Sequence, residues 1–262
     1  MKLFRTIALL LTIALAVPSM SAKKEKAEDN NVDLGEWVRQ QAEALPAEVD
    51  GVRIFRPSTQ NGKAVVSDML DLAGVSPRQA FVAALIFARE HLDPEFEAMG
   101  KIDYDNCRFI VNLSPVSGEG KDQASFSYEQ AFLFADDIMS FQASDIVFGY
   151  KEKGILPRKL EAEKLKPATN SRHKELVEAF SLLNSRYLAD MLAYIKANPQ
   201  IKVTHWEDIG KGVVTKGMTP HEVTLIAGKP ANINNSGNRE KWLYSNDFIV
   251  VFTAGVVSTV IQ

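Results

Sequence analysis

The sequence predicts an α+β protein of two domains, in which an antiparallel sheet and a long helix are followed by a smaller unit. Strand-like runs are concentrated between residues 101 and 150, and an apolar stripe with helical spacing extends from Leu176 to Ile195. About the last quarter of the chain combines a helix start with three short strand-like runs. Because Asn198–Pro199 ends the long helix, we expect domains at residues 33–199 and 200–262.

The first 22 residues have the pattern of a secretory signal peptide. Lys2 and Arg5 supply a positive start, and residues 7–17 are apolar with one exception. Pro18 and a run of small residues follow, which suits cleavage by signal peptidase. The apolar core is shorter than the roughly 20 residues that span a bilayer. We therefore expect export and cleavage, which would give a soluble periplasmic or secreted protein with no stable membrane insertion.

Composition excludes several classes of function for the remainder. Residues 1–22 carry two of the 30 basic residues and no acidic one, so 33 acidic residues exceed 28 basic residues in the rest. Without clustered Lys and Arg on one face, the sequence predicts no nucleic-acid partner. Residues 23–32 are charged and lack apolar periodicity, which is typical of a flexible leader. Cys107 is the single cysteine, so there is no internal disulfide and no lipid anchor at the cleavage site. We expect Cys107 to be a buried free thiol in a strand.

The first part of the N-terminal domain predicts two helices and a strand. One helix covers residues 34–45, and the strand lies around residues 65–70. Ser76, Pro77 and Gln79 then mark the start of the second helix. Serine is a preferred N-cap, proline suits the first helical position, and glutamine suits the third.

The second part predicts β-structure and then the long helix. The expected strand-like runs are residues 101–113, 125–134 and 140–150. Aromatic residues fall at alternate positions of the middle run and should share one face of a sheet: Phe126, Tyr128, Phe132 and Phe134. The helix that begins near Asn170 carries an apolar stripe wide enough to cover that face.

The C-terminal unit repeats the pattern of a capped helix followed by strands. Thr219, Pro220 and Glu222 predict a helix start, and Gly228 predicts its end. We expect a turn at residues 234–237. A three-stranded antiparallel meander should follow, at residues 241–244, 248–252 and 256–261.

This unit resembles the small outer-membrane lipoprotein domain of the SmpA/OmlA type, which accompanies the β-barrel assembly machinery. The resemblance is carried by Lys216–Thr219, Glu222–Val223, Gly228–Pro230, Trp242–Tyr244, and Phe252 with Gly255–Val257. It implies an ααβββ fold, shared with the mini-domains of β-lactamase inhibitory proteins, and hence a binding scaffold. The chain departs from the family in lacking the lipidated cysteine and in carrying a larger N-terminal domain.

Residues 62–195 are more loosely similar to a TBP-like α+β domain of exported bacterial proteins. The carrying features are Gly74–Ser76 before the helix, Phe148–Lys151 at the end of the β-rich part, and the long helix. A helix-grip fold, with its sheet wrapped on the same helix, is an alternative. That fold would open an apolar ligand cavity between helix and sheet.

Residues able to carry out catalysis or bind metal do not form a recognisable pattern. The histidines are not at metal-ligand spacing from one another: His91, His173, His205 and His221. Carboxylates that could bind calcium or act as acid and base are also typical of turns: Asp103, Asp105, Asp136 and Asp137. The sequence therefore predicts a protein that is not an enzyme and has no metal and no cofactor.

Large apolar residues of the C-terminal unit are the candidates for partner binding. We select Trp206, Met218, Tyr244 and Phe248, and we expect Trp242 and Phe252 to form the core of the unit. The leading hypothesis is an exported envelope protein that binds another envelope protein through this unit, in outer-membrane assembly or maintenance. The alternative is a periplasmic carrier of an apolar small molecule, held in a pocket under the helix at residues 171–197.

Overall fold

The computed structural model describes residues 34–44, 52–93, 95–118, 123–150, 158–244 and 247–262. The predicted signal peptide and leader lie outside these residues. The helices are α1 (Leu34–Ala44), α2 (Pro77–His91), α3 (Ser171–Ala197), α4 (Trp206–Lys211) and α5 (Pro220–Ala227), with a 3-10 turn at Ala162–Lys164. The first strands are β1 (Ser58–Gln60), β2 (Lys63–Asp71), β3 (Ala98–Asp103), β4 (Arg108–Leu113), β5 (Val116–Ser117) and β6 (Ala124–Ala135). The others are β7 (Ile138–Tyr150), β8 (Arg158–Glu161), β9 (Asn232–Ser236), β10 (Arg239–Leu243), β11 (Ile249–Thr253) and β12 (Val256–Ile261).

The fold is α+β, as the sequence predicts, with eight strands in one antiparallel sheet. Their order is β1-β2-β7-β6-β4-β3, with β5 beside β6 and β8 beside β7. The longest pairing joins β6 to β7, where Phe126 is opposite Phe148 and Phe132 is opposite Phe141. The sheet is therefore built around a hairpin of two long strands whose aromatic residues lie side by side.

Helices α2 and α3 cover one face of this sheet. Phe81 of α2 contacts Phe109 and Phe134 at ring-centroid distances of 6.2 and 6.1 Å. Phe180 of α3 contacts Tyr128 at 5.1 Å. All four aromatic residues expected on the shared face of β6 are buried, which confirms the alternation that the sequence shows.

The run predicted at residues 101–113 is not continuous. Strands β3 and β4 form a hairpin, and Cys107 lies in its turn with a positive φ of 49°. The thiol is free and half-buried, so the expectation of a buried cysteine within a strand was wrong. Asp105 lies in the same turn and is exposed, so it does not alternate along a strand with Asp103.

The C-terminal unit has one strand more than the sequence predicts. Its sheet has the order β12-β11-β10-β9, and β9 occupies residues where a turn was expected. All five residues of β9 are exposed and four are polar, so no apolar alternation marks this strand in the sequence. The turn follows β9 and lies between Ser236 and Arg239, where Gly237 has a positive φ of 61°.

The two predicted domains share contacts through α2 and α5. The guanidinium of Arg89 donates a hydrogen bond to the backbone carbonyl of Ile226 at 3.3 Å. Helix α3 ends at Ala197, next to the predicted boundary, and buried apolar residues continue from one part to the other. The boundary itself stays a prediction. Among the described residues, no helix is long and apolar enough to cross a membrane.

Candidate functional site

The second face of the large sheet carries side chains that point away from α2 and α3. Along β6 the burial alternates, with Ser125 and Ser127 exposed on either side of the buried Phe126. The same alternation appears on β4 and β7. We call this side of the sheet the open face.

An open depression of about 780 Å³ lies on this face. Strand register places Met69, Ser140, Leu133 and Arg108 in one row across β2, β7, β6 and β4. The neighbouring row is Ser67, Gln142, Ala131 and Ile110. In the first row the small Ser140 lies between two larger apolar side chains, which are 63% (Met69) and 42% (Leu133) exposed.

An ion pair borders the depression on the open face. Arg108 donates to Asp103 through Nε at 2.9 Å and pairs with it through Nη2 at 2.8 Å. Hydrogen bonds from the Asn106 side chain and backbone, followed by Arg108, lower the pKa of Asp103 to about 2. The hydrogen bond from Arg53 lowers the pKa of Asp68, but Asp68 is opposite the buried Phe141, on the helix-covered side of the sheet edge. The border is therefore charged at neutral pH but locally balanced, around an apolar centre.

The residues considered for acid–base or metal chemistry do not converge. Asp103, the last residue of β3, binds Asn106 and Arg108. His173 instead contacts Tyr150, the last residue of β7. Asp136 lies in the β6–β7 turn with a positive φ of 46°. In the described ranges, no three His, Cys, Asp or Glu side chains are placed to hold a metal ion.

The candidate partner-binding residues fall into three different environments. Tyr244 and Phe248 stack at 5.0 Å between β10 and β11, and the Tyr244 hydroxyl donates to the Gly228 carbonyl at 3.1 Å. Burial raises the pKa of Tyr244. Trp206 packs within the fold, with the Arg78 guanidinium 4.4 Å from its ring centroid. Met218 is fully buried, so its selection as a partner-binding residue is corrected: no part of its side chain can reach a partner.

The outer face of the small sheet carries one aliphatic row beside rows that are mostly polar. Trp242 and Phe252 are buried and in contact at 4.8 Å, which confirms that they belong to the core. On the opposite side of the strands, Leu243, Ile249 and Ile261 lie in one row. An exposed aromatic surface on this sheet is thus absent among the described residues, and Tyr244 and Phe248 lie at its end.

The space under α3 is filled in the part of the chain that the structure describes. Phe180 contacts Phe126, Tyr128 and Phe148, and the described depressions of the surface lie elsewhere. Two fully buried amides, Gln130 of β6 and Asn184 of α3, find no hydrogen-bond partner among the described residues. The helix-to-sheet contact is therefore solid but carries unsatisfied polar groups.

The sequence did not lead us to predict the open face, although one residue of β6 gave an indication of it. Leu133 stands between Phe132 and Phe134, on the parity that faces away from the aromatic residues. A large aliphatic side chain at an outward position indicates an apolar surface only where other apolar side chains share that face. Met69 belongs to a different strand, and only the sheet order brings it to the same row.

Two solved structures are similar to this chain. One is a TBP-like protein from Parabacteroides distasonis, with 17% sequence identity and a TM-score of 0.45; the match covers 54% of this chain and 97% of that chain. The other is a DUF4468 family protein from Bacteroides ovatus, with 17% identity and a TM-score of 0.42; the match covers 60% of this chain and 98% of that chain. No family model and no curated protein matches the chain. The structural neighbours are thus TBP-like and DUF4468 proteins, and the SmpA/OmlA resemblance of residues 200–262 stays a prediction.

Proposed function

We propose that the chain is an exported, non-enzymatic binding protein of the cell envelope, and that its open face contacts a partner protein. The observation that carries this proposal is the row of Met69, Ser140 and Leu133, which ends at the Arg108–Asp103 ion pair. An apolar centre with a polar rim is the usual anatomy of a protein–protein interface.

The shape of the depression favours a protein over a small molecule as the occupant. Small-molecule sites are concave and bury most of the surface of their ligand. The depression on the open face is shallow and open to solvent, with Met69 and Leu133 as separate projections. A strand or helix of a partner can cover such a surface, with its apolar side chains entering above Ser140 and Ala131.

The stacked pair Tyr244–Phe248 is the second contact surface in this proposal. Its support is the resemblance of residues 200–262 to a binding scaffold of the outer membrane, from which a role in outer-membrane assembly or maintenance would follow. Aromatic residues that are partly buried and partly exposed are common at the centre of interfaces. The carrier alternative is not taken further, because Phe180 and its aromatic neighbours fill the space that a ligand would need.

Site-specific photo-crosslinking in the producing cell tests this function. Benzoylphenylalanine would replace Leu133, Met69 or Phe248 one at a time, and Glu207, exposed on α4, would serve as the control position. We expect positions 69 and 133 to yield the same cross-linked envelope protein. We also expect Met69→Ser with Leu133→Ser to lower recovery of that partner by about tenfold.

The outcomes separate the two surfaces. Cross-links from position 248 alone would assign the interaction to the C-terminal unit and remove the open face from the proposal. If position 207 cross-links the same protein as strongly as positions 69, 133 and 248, the cross-links come from non-specific collisions. That result would contradict both proposed contact surfaces. Because Met69 and Leu133 are exposed, the serine variants should fold, and circular dichroism checks this directly.

A further inference from the structure

A basic pocket of about 450 Å³ lies where β8 meets the start of α3. Four of its lining residues are Lys or Arg, and none is a carboxylate. The lining residues are Tyr150, Arg158, Lys159, Leu160, Lys164, Lys166, Asn170 and His173. This concentration of positive charge stands out because acidic residues outnumber basic ones in the chain as a whole. Clustered cations in a concave site raise the local concentration of anions.

Neighbouring carboxylates neutralise only part of this charge. Residues 158–175 contain six Lys or Arg and three Glu, and Arg172 pairs with Glu175 at 3.5 Å. Glu161 pairs with Lys164 at 2.9 Å, and Glu163 pairs outside the pocket, with Lys63 at 3.4 Å. Lys166 is exposed and forms no ion pair within the described residues. Lys159 also lines the pocket and forms no ion pair in the part of the chain that the structure describes, so Lys159 and Lys166 supply the positive charge on which the pocket depends.

The long helix adds its positive end to the same place. Helix α3 has 27 residues, and its N-cap, Asn170, lines the pocket. The Asn170 side chain accepts the His173 backbone N–H at 3.2 Å. The amides of Ser171 and Arg172 have no acceptor within the helix, as in the first turn of any α-helix. Exposed amides and the helix dipole together favour an anion at this end.

A buried hydroxyl supplies a directed donor. The Lys166 backbone N–H donates to His173 Nδ1 at 2.9 Å, so the neutral imidazole carries its proton on Nε2. Nε2 lies 3.4 Å from the Tyr150 hydroxyl oxygen, which then acts as the acceptor. The Tyr150 proton is not used in this bond, and Tyr150 lines the pocket. Tyr150 itself is only 4% exposed, so this donor is held in place by the core.

We propose that this pocket binds a phosphate group. Cations, free helix amides and a fixed hydroxyl are the donors that phosphate oxygens accept, and charge-assisted bonds of this kind are the strong ones. The phosphate could belong to a soluble phosphorylated molecule or to the headgroup of a lipid in the envelope. The proposal does not depend on the open face, which shares neither Tyr150 nor Lys166 with the pocket.

Binding measurements with two probes test the proposal and distinguish the sources. Isothermal titration with inorganic pyrophosphate measures binding from solution, and sedimentation with phosphatidylglycerol vesicles, against phosphatidylcholine vesicles, measures binding to a lipid surface. Affinity for the effective probe should fall by about tenfold in Lys166→Gln and in Tyr150→Phe. Lys174→Gln, which removes an exposed charge from the same helical turn outside the pocket, should change it by less than about twofold.

Each result either supports or overturns the binding of phosphate in this pocket. Binding of pyrophosphate identifies a soluble phosphorylated ligand, whereas binding of phosphatidylglycerol vesicles alone identifies the headgroup. Absence of binding to both probes overturns the proposal. An equal loss in Lys174→Gln also overturns it, because the effect would then come from total charge and not from the pocket. Tyr150→Phe keeps the buried ring, and Lys166 is exposed, so both variants should fold.

Discussion

The fully buried carboxylate of Glu222 accepts a hydrogen bond from the backbone N–H of Thr204 at 2.6 Å. The same oxygen accepts the backbone N–H of His205 at 3.0 Å, and the second oxygen accepts that of Thr219 at 2.8 Å. Glu222 thus completes the capping box of α5 and also fastens the segment that leads into α4. Within the C-terminal unit, one carboxylate therefore joins the residues before α4 to the start of α5.

We predict that Glu222→Gln lowers the free energy of unfolding at pH 7 by about 2 kcal/mol or more, because the amide loses the charge and cannot accept every bond. Urea denaturation measures this change. The control is Glu207→Gln, which removes an exposed pair with Lys211 and should cost about 0.5 kcal/mol at most. A loss of the same size in both variants would contradict a special role for the buried carboxylate.

The contribution of Glu222 should depend on pH. Burial acts to raise its pKa, but hydrogen bonds from the Thr219 and Thr204 amides and from His205 outweigh this and lower the pKa to about 2, from an ordinary value of 4.5. Because the folded pKa is the lower one, the stabilisation is complete above pH 4.5 and is lost as the pH falls towards 2. The stability difference between the wild type and Glu222→Gln should therefore shrink over that window. A difference that stays constant down to pH 2 would show that the charge does not stabilise the fold.

Trp206 is predicted to stabilise the fold itself. Its ring lies 5.7 Å from that of Tyr104 and under the guanidinium of Arg78. We expect Trp206→Leu to lower the free energy of unfolding by about 1–2 kcal/mol, and Trp206→Phe to lower it by less, since phenylalanine keeps an aromatic face for the cation. Chemical denaturation checks both values. If Trp206→Leu leaves the stability unchanged but abolishes cross-linking to the partner, Trp206 is a partner-binding residue after all.

Gln130 gives a prediction of increased stability. Its amide is fully buried without a partner among the described residues, and methionine has a similar length and no hydrogen-bonding requirement. We expect Gln130→Met to raise the free energy of unfolding by about 1 kcal/mol. Gln142→Met, on the exposed side of the adjacent strand, is the matched control and should have little effect. A loss of stability in Gln130→Met would mean that the amide has a partner.

Processing of the N-terminus tests the predicted export. If residues 1–22 are a signal peptide, the protein recovered from the envelope or medium should begin at Lys23, the residue after the small-residue run. Intact mass determination of the recovered protein measures this. Substituting the apolar core with charged residues should leave the protein uncleaved in the cytoplasm. Recovery of an uncleaved chain from the envelope would point to an anchor.

Local patterns were sufficient for most of the elements. Ser76 caps α2, Thr219 and Glu222 form the box that begins α5, and the aromatic residues of β6 face the helices. Each of these depends on residues within four positions of one another. Strand β9 was not predictable in this way because four of its five residues are polar. The turn at Cys107 was not predictable because it interrupts a run of otherwise strand-like residues.

The sequence by itself determined the α+β class, the helix starts and the face of β6 that is buried, because propensity, capping and alternation act over a few residues. Tertiary structure alone decided that Met69 and Leu133 share a row, that Glu222 reaches Thr204, and that Tyr150 meets His173 at the end of α3. These pairs are far apart in the chain. They depend on strand order and on helix docking, which no local pattern encodes.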